Sequence, residues 1–187
     1  SLPQSVVSLA DLQLFTISGN LLTSLLPSLH NLSYDCNYLN FADNFFSGSL
    51  PSRSSNKFFV VADNFFSGSI PAIFFNSSIS LVDLSLNLLS GSITNNIAAD
   101  SLRILILSSN YLSGTIPPAL LNLSTLAIVA LGNNVFSGSL PPFSSQSSMK
   151  SFIASNNLLG AGIPLMRNSY GLENLNLGNN FITGNIP

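Results

Sequence analysis

Charge is what this chain has least of. Of its 187 residues only 6% are charged, five Lys or Arg against seven Asp or Glu, for a formal net charge of −2. An average globular domain carries roughly 25%. A surface that neutralises nucleic-acid phosphates needs a dense basic patch. Arg53, Lys57, Arg103, Lys150 and Arg167 are too few and too scattered to supply one. Cysteine is almost absent: Cys36 alone excludes an internal disulfide framework and a thiolate zinc cage. Histidine is limited to His30, and no run approaches the ~18 consecutive apolar residues that span a bilayer. The opening Ser-Leu-Pro-Gln lacks the basic start and apolar stretch of a secretion signal. Hydrophobic residues still make up 46%, enough for a large core, so solubility falls to abundant Ser and Asn.

What is present is a repeat. Asparagines recur at Asn20, Asn44, Asn64, Asn87, Asn110, Asn134, Asn157 and Asn180, spaced by 24, 20, 23, 23, 24, 23 and 23 residues. Five and three residues before each, the chain is apolar, as in Leu105 and Leu107 or Val129 and Leu131. That alternation is a strand with one buried face. Two residues after each Asn comes Leu, Phe or Ile; four after, Gly in six of eight units, with Ser24 and Ala161 the exceptions; seven after, Pro in seven of eight. One unit cannot bury enough apolar surface to offset the ordering of its chain, so units must stack and share a core. Repeated Asn side chains, each with two donors and an acceptor, can satisfy in a ladder the backbone groups that the turn leaves unpaired. Gly permits positive φ, and Pro ends the second strand. The near-identical blocks Ala42 to Ser52 and Ala62 to Ala72 look like a duplication, and the 20-residue unit between their asparagines has lost residues from its outer side.

The unit Leu-x-x-Leu-x-Leu-x-x-Asn-x-Leu-x-Gly-x-Ile-Pro, clearest in LRILILSSNYLSGTIP at Leu102 to Pro117, resembles the plant-specific leucine-rich repeat. The resemblance covers essentially the whole chain, residues 1–187, as a single domain. It implies a mostly β repeat solenoid of the α/β type: a right-handed superhelix of about eight rungs with a parallel concave sheet, short second strands and few or no regular helices. Members of the family carry cysteine-paired caps, and receptor members a membrane helix and a kinase. None of these is legible between Ser1 and Pro187, so the expectation is a piece of a longer protein; an uncapped protein that associates through its ends is the alternative.

Catalytic chemistry finds little support. His30 lies in a return segment beside no clustered acids, which suits a solvent-facing or capping residue better than a general base. Asp43 and Asp63, each just before a ladder Asn, would sit one strand spacing (~4.7–4.9 Å) apart. A pair of carboxylates that close can do glycosidic chemistry, but these arise from a copied block and read as turn caps. Gly160-Ala161-Gly162 lacks the lysine and the strand-to-helix context of a phosphate loop. Cys36, eight residues before Asn44, reads as a small buried hydrophobe. The chain is therefore expected to be no enzyme and to hold no metal or cofactor.

Binding is the better reading. Residues six and four before each ladder Asn point away from the core onto the concave face. They place Tyr38, Asn40, Phe58, Val60, Asp83, Ile104, Ile106, Ile128, Ala130 and Ile153 on one surface, with Leu81 among them. Exposed apolar patches mark interaction sites, with aromatics as anchors. Drift in an unconstrained sequence would leave the same residues. Paired arginines, which the resemblance implies for receptors that hold a peptide carboxylate, are missing from these columns; Arg103 stands alone at the strand edge. Asn-x-Ser/Thr acceptors at Asn31, Asn76 and Asn122 fall at one angular position, away from the concave face, and suit glycosylation of a secreted protein. The resemblance thus implies an extracellular segment of a receptor-like protein, secreted or at the outer face of the plasma membrane. It would bind a peptide, protein or glycan ligand with a possible co-receptor, and neither nucleic acid nor, through this chain, a membrane. A soluble inhibitor of cell-wall-degrading hydrolases and a structural or ice-binding solenoid are the alternatives.

Overall fold

A computed structural model describes residues 2–9, 11–26, 29, 36–52, 56–75, 78–144, 148–165 and 171–186. Each repeat makes two short strands. The first strands, from Leu14–Thr16 in the first rung to Asn174–Asn176 in the last, are three residues long and form one eight-stranded parallel sheet in sequence order. The second strands, from Thr23–Leu25 to Leu158–Gly160, build a seven-stranded parallel sheet. Regular helix is confined, among the described residues, to one turn at Pro118–Leu121 and two 3-10 segments, Gln4–Ser8 and Ala72–Phe75. The chain is thus the repeat solenoid that the Asn period foretold. Six of its eight rungs have a neighbour on both sides and form the closed stack; the first and last have one neighbour each.

The core lies between the sheets and the return segments. Within the closed stack the middle residue of every first strand, such as Leu39, Phe59, Val82, Leu105, Val129 and Phe152, is fully buried, as are Phe46, Phe66, Leu89, Leu112, Phe136 and Leu159 of the second strands. Phe74 and Phe143 fill the return side against Phe59 and Phe152, with ring centroids 5.1 and 5.3 Å apart. The end rungs stay half open: Phe15 and Ile17 are only partly buried, and Leu175 is 38% exposed.

The ladder forms as expected. The Asn110 Oδ1 accepts from the Leu89 N–H of the preceding rung at 2.9 Å. Its Nδ2 donates to the Leu84 carbonyl of that rung at 2.9 Å and to the Leu107 carbonyl of its own at 3.2 Å. Asn44, Asn64, Asn87, Asn134, Asn157 and Asn180 repeat the pattern, each reaching back one rung. The Asn20 side chain, in the first rung, bonds among the described residues only to its own rung, at the Ile17 and Ser18 carbonyls. The glycine position four residues on has positive φ in every rung, including Ser24 (100°) and Ala161 (62°), where glycine is missing. Close packing adds to that demand at Gly48, where a Cβ would collide with the Leu25 side chain.

Two features were not legible beforehand. The residue just before each ladder Asn also has positive φ: Gly19, Asp43, Asp63, Leu86, Ser109, Asn133, Asn156 and Asn179. Asn, Asp and Gly tolerate this left-handed geometry, whereas Leu does not readily. Second, Asn56 takes the core position eight residues before Asn64 and is buried; its Nδ2 donates to the Cys36 carbonyl, which satisfies part of its polarity. Cys36 is itself fully buried and free, as its reading as a small hydrophobe required.

Candidate ligand-binding face

Register in the eight-stranded sheet aligns equivalent residues. One row runs Tyr38, Phe58, Leu81, Ile104, Ile128 and Ser151; the next runs Asn40, Val60, Asp83, Ile106, Ala130 and Ile153. Each strand's middle residue points into the core, so these flanking residues share the opposite face. The ten residues expected on the concave face therefore share one outward face of this sheet. Each keeps part of its side chain in solvent. The Tyr38 and Phe58 rings pack with centroids 5.8 Å apart, and Phe58 is 36% exposed. The two polar members are partly committed within their own turns. Asn40 Oδ1 accepts from the Ala42 N–H at 3.0 Å, and Asp83 Oδ1 from the Ser85 N–H at 3.0 Å and hydroxyl at 2.6 Å. What remains is an apolar field from Phe58 to Ile153, bordered by polar groups.

The rim of this face carries charge. Seven residues before their ladder asparagines, Lys57, Arg103 and Lys150 occupy one row, two rungs apart, and all three are exposed. Arg103 therefore does not stand alone, although it has no paired arginine. Lys150 Nζ lies 3.6 Å from Glu173, an open surface pair that contributes little to stability.

A second surface escaped the sequence reading. The residue just after each ladder Asn is apolar in all eight rungs, yet it points outward, in six of them as the first residue of the second strand. Leu21, Phe45, Phe65 and Leu88 form its first half, and Tyr111, Val135, Leu158 and Phe181 its second, with exposures between 41% and 82%. The Phe45 and Phe65 rings stack at 5.9 Å. The available signal was a conflict: an apolar residue in register with the polar positions of the alternation. Asp43 and Asp63 sit beside this ridge in a groove of about 300 Å³ that Leu21, Phe45 and Phe65 also line. On the same outer face, two and four residues beyond the ridge, lie hydroxyl rows such as Ser67, Ser90 and Ser113, and Ser69, Ser92 and Thr115.

The remaining candidates scatter. Asn122 is exposed directly after the Pro118–Leu121 turn, where an acceptor can be reached. Asn31, Asn76 and His30 lie outside the described residues. Among the described residues no group of three metal-ligating side chains converges, and no helix is long and apolar enough to cross a membrane.

Comparison with known proteins agrees with this architecture. A family model described as Leucine Rich Repeat matches residues 101–123. A search of curated proteins finds no match. Among solved structures the whole chain superposes on PEPR1 in a structure with AtPEP1, at 29% identity and a TM-score of 0.91, covering 27% of that chain. It also superposes on a plant ice-binding protein, at 24% identity and 0.86, covering 62% of it. A third is the Arabidopsis receptor kinase HAESA in complex with the peptide hormone IDA and the co-receptor SERK1, at 25% identity and 0.54, covering 44%. The chain thus spans between about a quarter and two thirds of the proteins it resembles. Its repeat, its amide ladder and these superpositions show the leucine-rich-repeat solenoid fold, similar along its whole length to segments of plant receptor-kinase structures.

Proposed function

We propose that the eight-stranded sheet is the ligand-binding face of an extracellular receptor-like protein, and that its ligand is a peptide or an extended protein segment. The observation that carries this reading is the half-exposed apolar field of Phe58, Val60, Leu81, Ile104, Ile106, Ile128 and Ile153 beside a rim of Lys57, Arg103 and Lys150. An apolar centre with a few charges at its border anchors a side chain and orients the rest. The rim favours a ligand with a carboxylate at one end or edge. The HAESA complex with a peptide hormone and a co-receptor makes a peptide the better-supported ligand than a glycan, and makes a co-receptor a reasonable partner. Secretion and glycosylation at Asn122, and at Asn31 and Asn76, belong to the same reading.

The test is binding of a panel of synthetic secreted plant peptides to the chain, measured by calorimetry. Ile106→Asp and Ile128→Asp should each weaken a hit at least about tenfold. Arg103→Gln should weaken an acidic peptide and leave its neutral analogue unchanged. Equal binding by wild type and both Asp variants would sink the assignment of this face. A second reading draws on the hydroxyl rows of the outer face, whose regular spacing suits an ordered layer of water. Thermal hysteresis lost in Ser69→Tyr and Ser92→Tyr, with peptide binding intact, would favour it.

A further inference from the structure

The apolar ridge beside the second sheet has no part in the binding reading above, and it is apolar in every rung. Its eight side chains leave on the order of 800 Å² of mostly apolar area open to solvent, which is what one partner contributes to a standard protein interface. Monomeric surfaces rarely keep a contiguous patch of this kind. We propose that the ridge joins two copies of this chain, antiparallel, about a two-fold axis between the fourth and fifth rungs.

Side-chain volume favours that arrangement, since every facing pair then sets one large ring against one smaller aliphatic side chain. A two-fold interface is isologous, so residue i meets j and j meets i. With the axis between rungs four and five, Phe45 faces Leu158, Phe65 faces Val135 and Tyr111 faces Leu88: each aromatic meets an aliphatic of the other copy. Moving the axis onto the fifth rung sets Tyr111 against itself. Moving it onto the fourth sets Phe65 against Tyr111, ring on ring.

The row just before the ladder makes the same choice independently. Its only charges are Asp43 and Asp63, in its first half. Its second half is a surface amide file: Asn179 Nδ2 donates to Asn156 Oδ1 at 2.7 Å, Asn156 Nδ2 to Asn133 Oδ1 at 2.8 Å, and Asn133 Nδ2 to the Ser109 hydroxyl at 3.3 Å. Each amide nitrogen has a second hydrogen left over. The antiparallel pairing brings Asp43 to Asn156 and Asp63 to Asn133, so carboxylates meet donors. A parallel two-fold, with its axis along the ridge, would throw the two rows to opposite sides of it, so the carboxylates would meet no amide of the other copy. The eight-stranded sheet stays open in the dimer, because the ridge lies beyond the ladder corner on the second sheet.

Sedimentation equilibrium decides the matter. The chain at about 100 µM, above the micromolar dissociation constant of even a weak interface of standard size, should run as a dimer. Phe65→Glu should raise the dissociation constant at least about a hundredfold, because the symmetry counts each substitution twice. The pair Phe65→Cys with Val135→Cys should cross-link between copies through a short bis-maleimide, far faster than either single variant. A wild-type monomer, or a dimer indifferent to Phe65→Glu, would overturn the proposal. So would single variants that cross-link as fast as the pair. The cross-link result stands even if Phe65→Glu folds poorly, and none of these outcomes bears on peptide binding.

Discussion

Along the eight-stranded sheet the outward residues change chemistry from rung to rung: Tyr38, Phe58, Leu81, Ile104 and Ile128, then Ser151 and Asn174 in a single row. Along the ridge of the second sheet they do not change, since Leu, Phe, Tyr or Val stands in all eight rungs. Backbone pairing differs too. The long sheet sets equivalent residues opposite one another, whereas the second sheet is offset by two, so Phe65 lies across from Ser47 and Tyr111 across from Ser90. A varied row can discriminate among ligands, because every position offers a different contact. A uniform row carries no such information; it suits a partner with the same period, and the chain itself is one.

The sharpest break in that comparison lies between two adjacent residues. Phe46 points inward and is fully buried, whereas Phe45 points outward on the ridge and is 44% exposed. Phe46→Ala should destabilise the fold by about 3–5 kcal/mol, from lost burial plus the cavity left behind. Phe45→Ala should cost well under half of that in chemical denaturation, measured where the chain is monomeric. Equal losses would mean that the ridge is part of the core.

The two amide files differ in the same way. Asn110→Ala removes the buried partner of the Leu89 N–H and of the Leu84 and Leu107 carbonyls, and should cost about 2–3 kcal/mol in thermal unfolding. Asn133 is exposed, and water replaces its hydrogen bonds, so Asn133→Ala, measured where the chain is monomeric, should cost only the strain of alanine at a φ of 55°, about 1 kcal/mol. A large effect at Asn133 would give the surface file a structural role that its exposure denies.

Most of the long sheet was legible in the residues, because one period fixed everything that faces inward. The ladder Asn, the apolar pair before it and the Gly-x-Ile-Pro after it each follow from burial or backbone geometry, and those act identically in every rung. The outward surfaces follow from neither. The concave columns could be assigned by alternation alone, but the ridge could not, because its apolar residues sit where alternation expects polar ones. Asn56 is the converse case: a polar residue at an apolar position, tolerated because the Cys36 carbonyl of the previous rung accepts its N–H. The rim row of Lys57, Arg103 and Lys150 read as scattered along the chain, and only stacking brings it into line.

Smaller effects come from backbone strain. Leu86 has a φ of 54°, although the equivalent residue in the last three rungs is Asn. Leu86→Asn should stabilise the chain by about 0.5–1 kcal/mol, since Asn enters the left-handed region at lower cost and Leu86 is 53% exposed and gives up little burial. No gain in melting temperature would show that the packing Leu86 keeps outweighs the strain of its backbone.

The smallest effect concerns Cys36. Burial pushes its thiol above its ordinary pKa, so the folded chain binds the proton more tightly than the unfolded one. The sign follows by linkage: the contribution is fully present below the unfolded thiol's pKa and is lost as pH rises through the folded value. Stability measured across the alkaline range should therefore decline in the wild type and decline less in Cys36→Ala, after allowance for that variant's constant loss of packing. The same burial should keep Cys36 unreactive toward a water-soluble disulfide reagent until the second and third rungs separate. Prompt labelling of the native chain would place the thiol at a surface and undo the picture of a sealed rung around it.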